Sequence, residues 1–154
     1  NISHTRDDAD TAEMHLNQDE QLFGQTPAVE DLFELKHRRA RVETLKGHAP
    51  EAIGLAREAL ELIADGSRLD EGLAVASLAD ALALAQELEA ADAAYTRAVE
   101  LLEEAGRWRD ATNACRGWAR MLRRMGREDQ ALDVLDRAAG LAMRATPADT
   151  RVER

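Results

Sequence analysis

Cysteine is nearly absent. Cys115 stands alone among 154 residues, so no intrachain disulfide can staple the fold, and a reducing compartment is expected. Aromatic residues make up 3% of the chain, and long stretches hold almost no β-branched residues, which leaves strands poorly supported. The 3 prolines fall outside the periodic segments. No apolar run approaches the roughly 20 residues of a membrane span. No Gly-rich phosphate loop occurs, because Gly54, Gly66 and Gly72 have neither the spacing nor the following Lys. His4, His15, His37 and His48 pair with no Cys or carboxylate at a metal-binding spacing. Cys115 sits on an apolar helical stripe, as a small core residue does. Ser3, Ser67 and Ser77 have no nucleophile context, and carboxylate pairs such as Glu103-Glu104 read as solvated helix surface. These absences argue against an enzyme: no catalytic residue, metal or cofactor is expected.

What the chain does have is Ala and Leu, the residues that helices prefer, within an apolar content of 45%. The length suits one domain with a core of its own. The net charge of -10 argues against nucleic acid or an anionic membrane as a partner of the whole surface. No secretory signal is visible, so a cytoplasmic setting is expected. The chain does not begin with Met, which suggests part of something longer. Arg outnumbers Lys 18 to 2 and Ala is abundant, a bias of high-GC bacterial genomes.

Residues 1–25 are acidic and irregular. Asp7, Asp8 and Asp10 offer a helix start running through Met14, Leu16 and Leu22; a flexible arm is the alternative. Thr26-Pro27 is a cap followed by Pro at the first helical position, so a helix is expected from there to about Lys46, closed by Gly47. A second helix spans Pro50 to Ala64, with Ile53, Ala56, Leu60 and Ile63 on one face. A third runs from near Asp70 to about Leu88, with Val75, Leu78, Ala79, Leu82 and Ala85/Gln86 as its stripe. The fourth carries Ala91, Tyr95, Ala98 and Leu102 and ends at Gly106. The fifth carries Ala111, Cys115, Trp118, Leu122 and Met125 and ends at Gly126. The sixth carries Ala131, Leu132, Leu135, Ala138 and Leu141, and Thr146-Pro147 stops it. Each stripe has the spacing of three and four of an amphipathic helix. The expected layout is an arm over 1–25, a repeat domain over 26–145 and a tail over 146–154. The hairpins then fall at about 26–66, 69–106 and 107–145.

The helices recur in pairs. Ala52, Ala56 and Ala59 match Ala91, Tyr95 and Ala98, and these match Ala131, Leu135 and Ala138, at offsets of 39 and 40. Ala40, Ala79 and Ala119 sit about twelve residues upstream of each set. A fixed period of this size marks stacked helical hairpins, in which small residues permit close approach and a larger one fills the next groove. The pattern resembles the tetratricopeptide repeat family over about residues 27–145. Trp118-Ala119, Leu122, Gly126, Ala131, Leu135 and Ala138 match best. Leu78-Ala79, Leu82, Ala91, Tyr95 and Ala98 also match, with Gln86 where a turn Gly is usual. The first hairpin departs from the pattern, with Arg39 and Glu43 at apolar positions unless Leu35 and Val42 serve instead. The period also exceeds the family's 34. The resemblance implies an all-α chain of three antiparallel helical hairpins stacked as a short right-handed solenoid. Similar Ala/Leu/Arg-rich repeats form the C-terminal sensor or interaction half of bacterial transcriptional regulators. No DNA-reading helix-turn-helix is evident here.

Charge concentrates on the fifth helix, where residues 107–127 set seven Arg against Asp110 alone. Arg109, Asn113, Arg116, Arg120, Arg123 and Arg127 form one stripe at alternating spacings of four and three. In the family, this side of a hairpin's first helix lines the partner-binding groove. The equivalent face of the third helix offers Leu73, Ala76, Asp80, Ala83 and Glu87. Arg forks suit carboxylate or phosphate, so a protein or peptide with an acidic or C-terminal-carboxylate segment is the expected partner. Three other readings stay open: the arginines pair with Asp80, Glu87 and other acids of neighbouring helices, they form a solvated face, or the acidic arm folds back onto them. Trp118 reads as core and Trp108 as packed on the preceding turn. Leu22, Phe23, Val29, Leu32 and Phe33 form an apolar cluster that caps an end or mediates self-association. A non-catalytic binding module is therefore expected; the alternative is an oligomerisation or intramolecular scaffold domain without a separate ligand.

Overall fold

The computed structural model describes residues 8–17, 28–63 and 67–152, with side chains through residue 145. Among the described residues every regular element is a helix. In chain order these are α1 (residues 8–17), α2 (Val29–Leu45), α3 (Ala49–Glu61), α4 (Arg68–Leu84), α5 (Leu88–Glu104), α6 (Trp108–Arg124) and α7 (Glu128–Val152). No described helix is long and apolar enough to cross a membrane.

The ends of α2, α4, α5 and α6 close in the same way. A residue with positive φ follows the helix: Gly47 (83°), Gln86 (66°), Gly106 (70°) and Gly126 (76°). The next amide then bonds back five residues, as in Glu87 N–H to the Leu82 carbonyl at 3.0 Å and Arg107 N–H to the Leu102 carbonyl at 2.8 Å. These are Schellman closures, which satisfy carbonyls the helix leaves open. The following helix starts two residues later. The expected run of the third helix to Leu88 is therefore corrected. Gln86 adopts the left-handed conformation that Gly usually supplies, α4 stops at Leu84, and Leu88 opens α5.

Each helix packs chiefly on its chain neighbours, most extensively α4 with α5, α6 with α7 and α2 with α3; α4 also touches α2 and α6. The core is made of small residues. Ala52, Ala59, Ala79, Ala91, Ala98 and Ala131 are at 0% exposure, and Leu101, Leu102, Met121, Leu122 and Cys115 supply the bulk. In the first pair, α2 divides its faces. Phe33 packs with Ala59 and Ala74, while Leu35 and Val42 pack with Ala9 and Leu16 of α1. Leu35 and Val42 are indeed the apolar pair, but what they meet is α1.

Trp108 is half-buried against the core, with the Arg144 guanidinium 5.1 Å from its ring centroid. Three further expectations change. Leu132 is half exposed, and Val134 takes the buried position. Trp118 is half-buried, because its Nε1–H reaches out to Asp92 Oδ1 at 2.7 Å. Thr146-Pro147 does not end the sixth helix; α7 continues to Val152. Proline removes one amide donor, and the carbonyl it leaves unbonded belongs to exposed Met143, within reach of water. The helix start at Thr26-Pro27, Leu22, Phe23 and the stop at Asp65-Gly66 lie outside the described residues.

Candidate pocket on the α2, α4 and α6 face

The faces of α2, α4 and α6 enclose a pocket of about 110 Å³ lined by His37, Arg41, Leu73, Ala76, Ser77, Asp80, Leu102, Asp110, Asn113 and Ala114. Its walls follow from the repeat. Val29, Arg68 and Trp108 begin these helices 39 and 40 residues apart. Arg41, Asp80 and Arg120 are therefore the thirteenth residue of each, a row of alternating charge across three helices.

The floor is polar and buried. His37 is 6% exposed and Ser77 is 5% exposed, and Ser77 Oγ lies 3.3 Å from His37 Nδ1. Phe33 stacks on the imidazole at 5.9 Å between centroids. Burial pushes the His37 pKa below its ordinary value, assisted by the Arg41 charge and opposed by Glu34 and Asp70. The neutral form of the ring is therefore favoured relative to a free imidazole.

Asp80 is oriented from behind. Tyr95 Oη donates a hydrogen bond to Asp80 Oδ1. Gly117 makes room for both, since a Cβ there would lie 2.9 Å from Tyr95 Oη and 3.1 Å from Asp80 Oδ1. The carboxylate keeps an exposed edge. Desolvation nevertheless raises its pKa, against the lowering effects of the Tyr95 bond and of the Arg120 and Arg41 charges. Burial and the Asp80 charge also push the Tyr95 phenol well above its ordinary value.

The structure brings together Leu73, Ala76, Asp80 and Asn113 of the expected groove residues. Arg109, Arg116 and Arg120 are exposed on α6 and are not among the residues that line the pocket. Arg123 pairs with Glu128 at 3.2 Å. Arg127 turns away to Glu89 at 3.1 Å and Asp92 at 3.8 Å. The open question about the arginine row thus divides. Arg123 and Arg127 pair with acids, whereas among the described residues Arg41, Arg116 and Arg120 make no ion pair or hydrogen bond. The described part of the acidic arm lies on α2. There Glu13 binds Lys46 at 2.7 Å and Asn17 Oδ1 accepts from Arg39 at 2.6 Å. Ala83 is buried, and its carbonyl accepts from Arg124 at 3.4 Å.

Sequence reasoning missed His37, Arg41 and Ser77. The available signal was that Ser77 lies 40 residues after His37, one residue beyond the 39-residue step from α2 to α4. Ser77 therefore does have a histidine beside it. Both groups are buried, however, and a nucleophile needs substrate access. A second cleft, of about 520 Å³, lies between Trp108 and Arg137. Its arginines are engaged: Arg137 forks onto both Glu103 oxygens at 3.0 and 2.7 Å, and Arg144 covers Trp108. Cys115 is buried, with its thiol pushed up to about 11 by desolvation, which makes it unreactive. Among the described residues no cluster of His, Cys, Asp and Glu could hold a metal ion.

No match was found among protein-family models, curated proteins or solved structures.

Proposed function

We propose that this chain is a non-catalytic protein- or peptide-binding module, built as three helical hairpins stacked in a short right-handed solenoid like that of tetratricopeptide repeats. The partner offers an acidic side chain or a C-terminal carboxylate to the pocket between α2, α4 and α6. The observation that carries this reading is the pocket itself. It gathers Arg41 and Asn113 with Asp80 and Asp110 around buried His37 and Ser77, with apolar Leu73 and Ala76 alongside, while Arg116 and Arg120 stand exposed on α6. Recurrence of helix starts, turns and buried alanines at offsets of 39 and 40 supports the stacking. A guanidinium binds carboxylate through paired charge-assisted hydrogen bonds. Asp80 sets the register by rejecting a second carboxylate at its own position. The composition favours a cytoplasmic bacterial regulator as the larger protein, with this part responding to the partner.

The test is titration of a labelled acidic peptide, with a free or an amidated C-terminus, into the wild type and the Arg41→Ala, Arg116→Ala and Arg120→Ala variants. Loss of a charge-assisted bond costs about 1.5–3 kcal/mol, so each variant that contacts the carboxylate binds about tenfold more weakly or worse. Equal affinity in all three variants overturns the reading. The alternative, an oligomerisation scaffold, draws on the exposed Leu132 and Met143; light scattering that gives a monomer at every concentration counts against it.

A further inference from the structure

Arg41 of α2, Asp80 of α4 and Arg120 of α6 share one position in their helices, and α4 touches both of the others. The two guanidinium charges both act on Asp80. Yet among the described residues Asp80 forms no ion pair, and neither do Arg41 and Arg120. Elsewhere the chain closes such pairs between helices: Lys36 with Glu58 at 2.9 Å, and Arg137 with Glu103 at 2.7 Å.

What holds this row open lies behind Asp80. The buried Tyr95 hydroxyl donates to Oδ1, and Gly117 leaves the space that both groups occupy. The carboxylate is thereby anchored to α5 and is not free to swing out to either arginine. Its second oxygen, Oδ2, accepts no hydrogen bond among the described residues, and Asp80 lines the pocket. Nearby charges do not neutralise the row. Asp110 is held by Arg107 at 2.9 Å, and Arg124 donates to the Ala83 carbonyl at 3.4 Å. Exposed Arg116, one turn before Arg120, adds to the positive end.

A fixed carboxylate between two arginines disfavours a run of acids and favours a cation with an acid on either side. Packed helices stand about 8–10 Å apart. An extended chain rises about 3.3 Å per residue, so about three residues of partner span each step. We infer that the α2, α4 and α6 face binds an extended peptide segment whose charges run acidic, basic, acidic, with the basic side chain on Asp80. That partner class rests on the carboxylate-binding role proposed for the pocket and adds a central cation to it.

The test uses labelled peptides blocked at both ends, so that only side chains carry charge. Glu-Gly-Ser-Lys-Ser-Gly-Glu has the matching order. Lys-Gly-Ser-Glu-Ser-Gly-Glu has the same composition and net charge in another order. Fluorescence anisotropy with the full chain is expected to show the matching order binding about tenfold more tightly. In Asp80→Asn, which keeps an acceptor for Tyr95, the ratio of the two affinities is expected to fall to about one. The ratio is read within one protein, so a loss of stability that weakens both peptides alike leaves it unmoved. Equal binding of the two orders by the wild type, or a preference that persists in Asp80→Asn, overturns the inference and leaves the pocket's affinity for carboxylate standing. Absence of saturable binding by either peptide also overturns it. The pocket reading falls with it only when the acidic peptide with a free C-terminus fails to bind as well.

Discussion

Gln86 closes α4 in a backbone conformation that costs an L-residue about 1–2 kcal/mol and a glycine almost nothing. Its equivalents Gly47 and Gly126 make the same turn without that cost. Gln86→Gly is therefore expected to stabilise the fold by about 0.5–1 kcal/mol, part of the gain being returned as unfolded-chain entropy, read as a shifted urea midpoint at constant slope. Gly117 and Gly54 form a contrasting pair. Nothing lies within 4 Å of a Cβ at Gly54, whereas one at Gly117 meets Tyr95 and Asp80. Gly54→Ala should add about 0.5–1 kcal/mol of helix stability. Gly117→Ala should forfeit that gain by pushing the Tyr95 hydroxyl off Asp80. His37 gives a pH dependence. Its folded pKa lies below the unfolded value of about 6.5, so the unfolded state binds more protons and stability falls as pH drops below about 6.5. Asp80, raised by desolvation, acts in the opposite sense at lower pH, in and above the carboxylate range. Denaturation of wild type and His37→Gln at pH 7.5 and 5.5 isolates the histidine: the variant should lose the decline between those two values.

Among the helices, periodicity located six elements because the stripes of Ala and Leu alternate with solvated charge at helical spacing. It missed where α4 stops, since no rule of composition places Gln in a left-handed turn, and it stopped α7 too early at Thr146-Pro147. It also put Leu132 and Trp118 inside. A helical stripe is broader than the face a single neighbour covers, and only the packing of α7 and α5 decides which edge stays wet. Trp118 shows the consequence: an indole at that edge gains an acceptor from the adjoining helix, Asp92, instead of full burial. Trp118→Phe keeps the ring contacts and removes the bond to Asp92 Oδ1, leaving Asp92 only the longer Arg127 pair at 3.8 Å. It should cost about 1–2 kcal/mol, and Asp92→Ala made in the same background should add little, which a double-mutant cycle measures.

For the molecule as a whole, the offset of 39 and then 40 was readable from alanines alone, and with it the equivalence of α2, α4 and α6. Four of the ten residues lining the pocket followed: Leu73, Ala76, Asp80 and Asn113 lie where the repeat puts them. The rest did not, because the first helix of the series departs from the pattern at Arg39 and Glu43, so Arg41 and His37 could not be assigned to a face before α1 was seen to cover Leu35 and Val42. The charge distribution has its own consequence. A chain of net charge -10 that binds an acidic segment must do so through a local concentration of arginine, and screening weakens such attraction over a Debye length of about 8–10 Å. Affinity for an acidic peptide is expected to fall as NaCl rises from 50 to 300 mM, and to fall less in Arg116→Ala/Arg120→Ala, as isothermal titration at three salt concentrations would record.

The most direct test of the proposed binding role of the pocket is amide NMR of the isotopically labelled chain during titration with an acidic peptide bearing a free C-terminus. The account predicts shifts concentrated at Ser77, Asn113 and Gly117, with the Arg41, Arg116 and Arg120 side-chain Nε–H signals moving in step. Shifts scattered over the surface, or confined to α1 and α7, would contradict it.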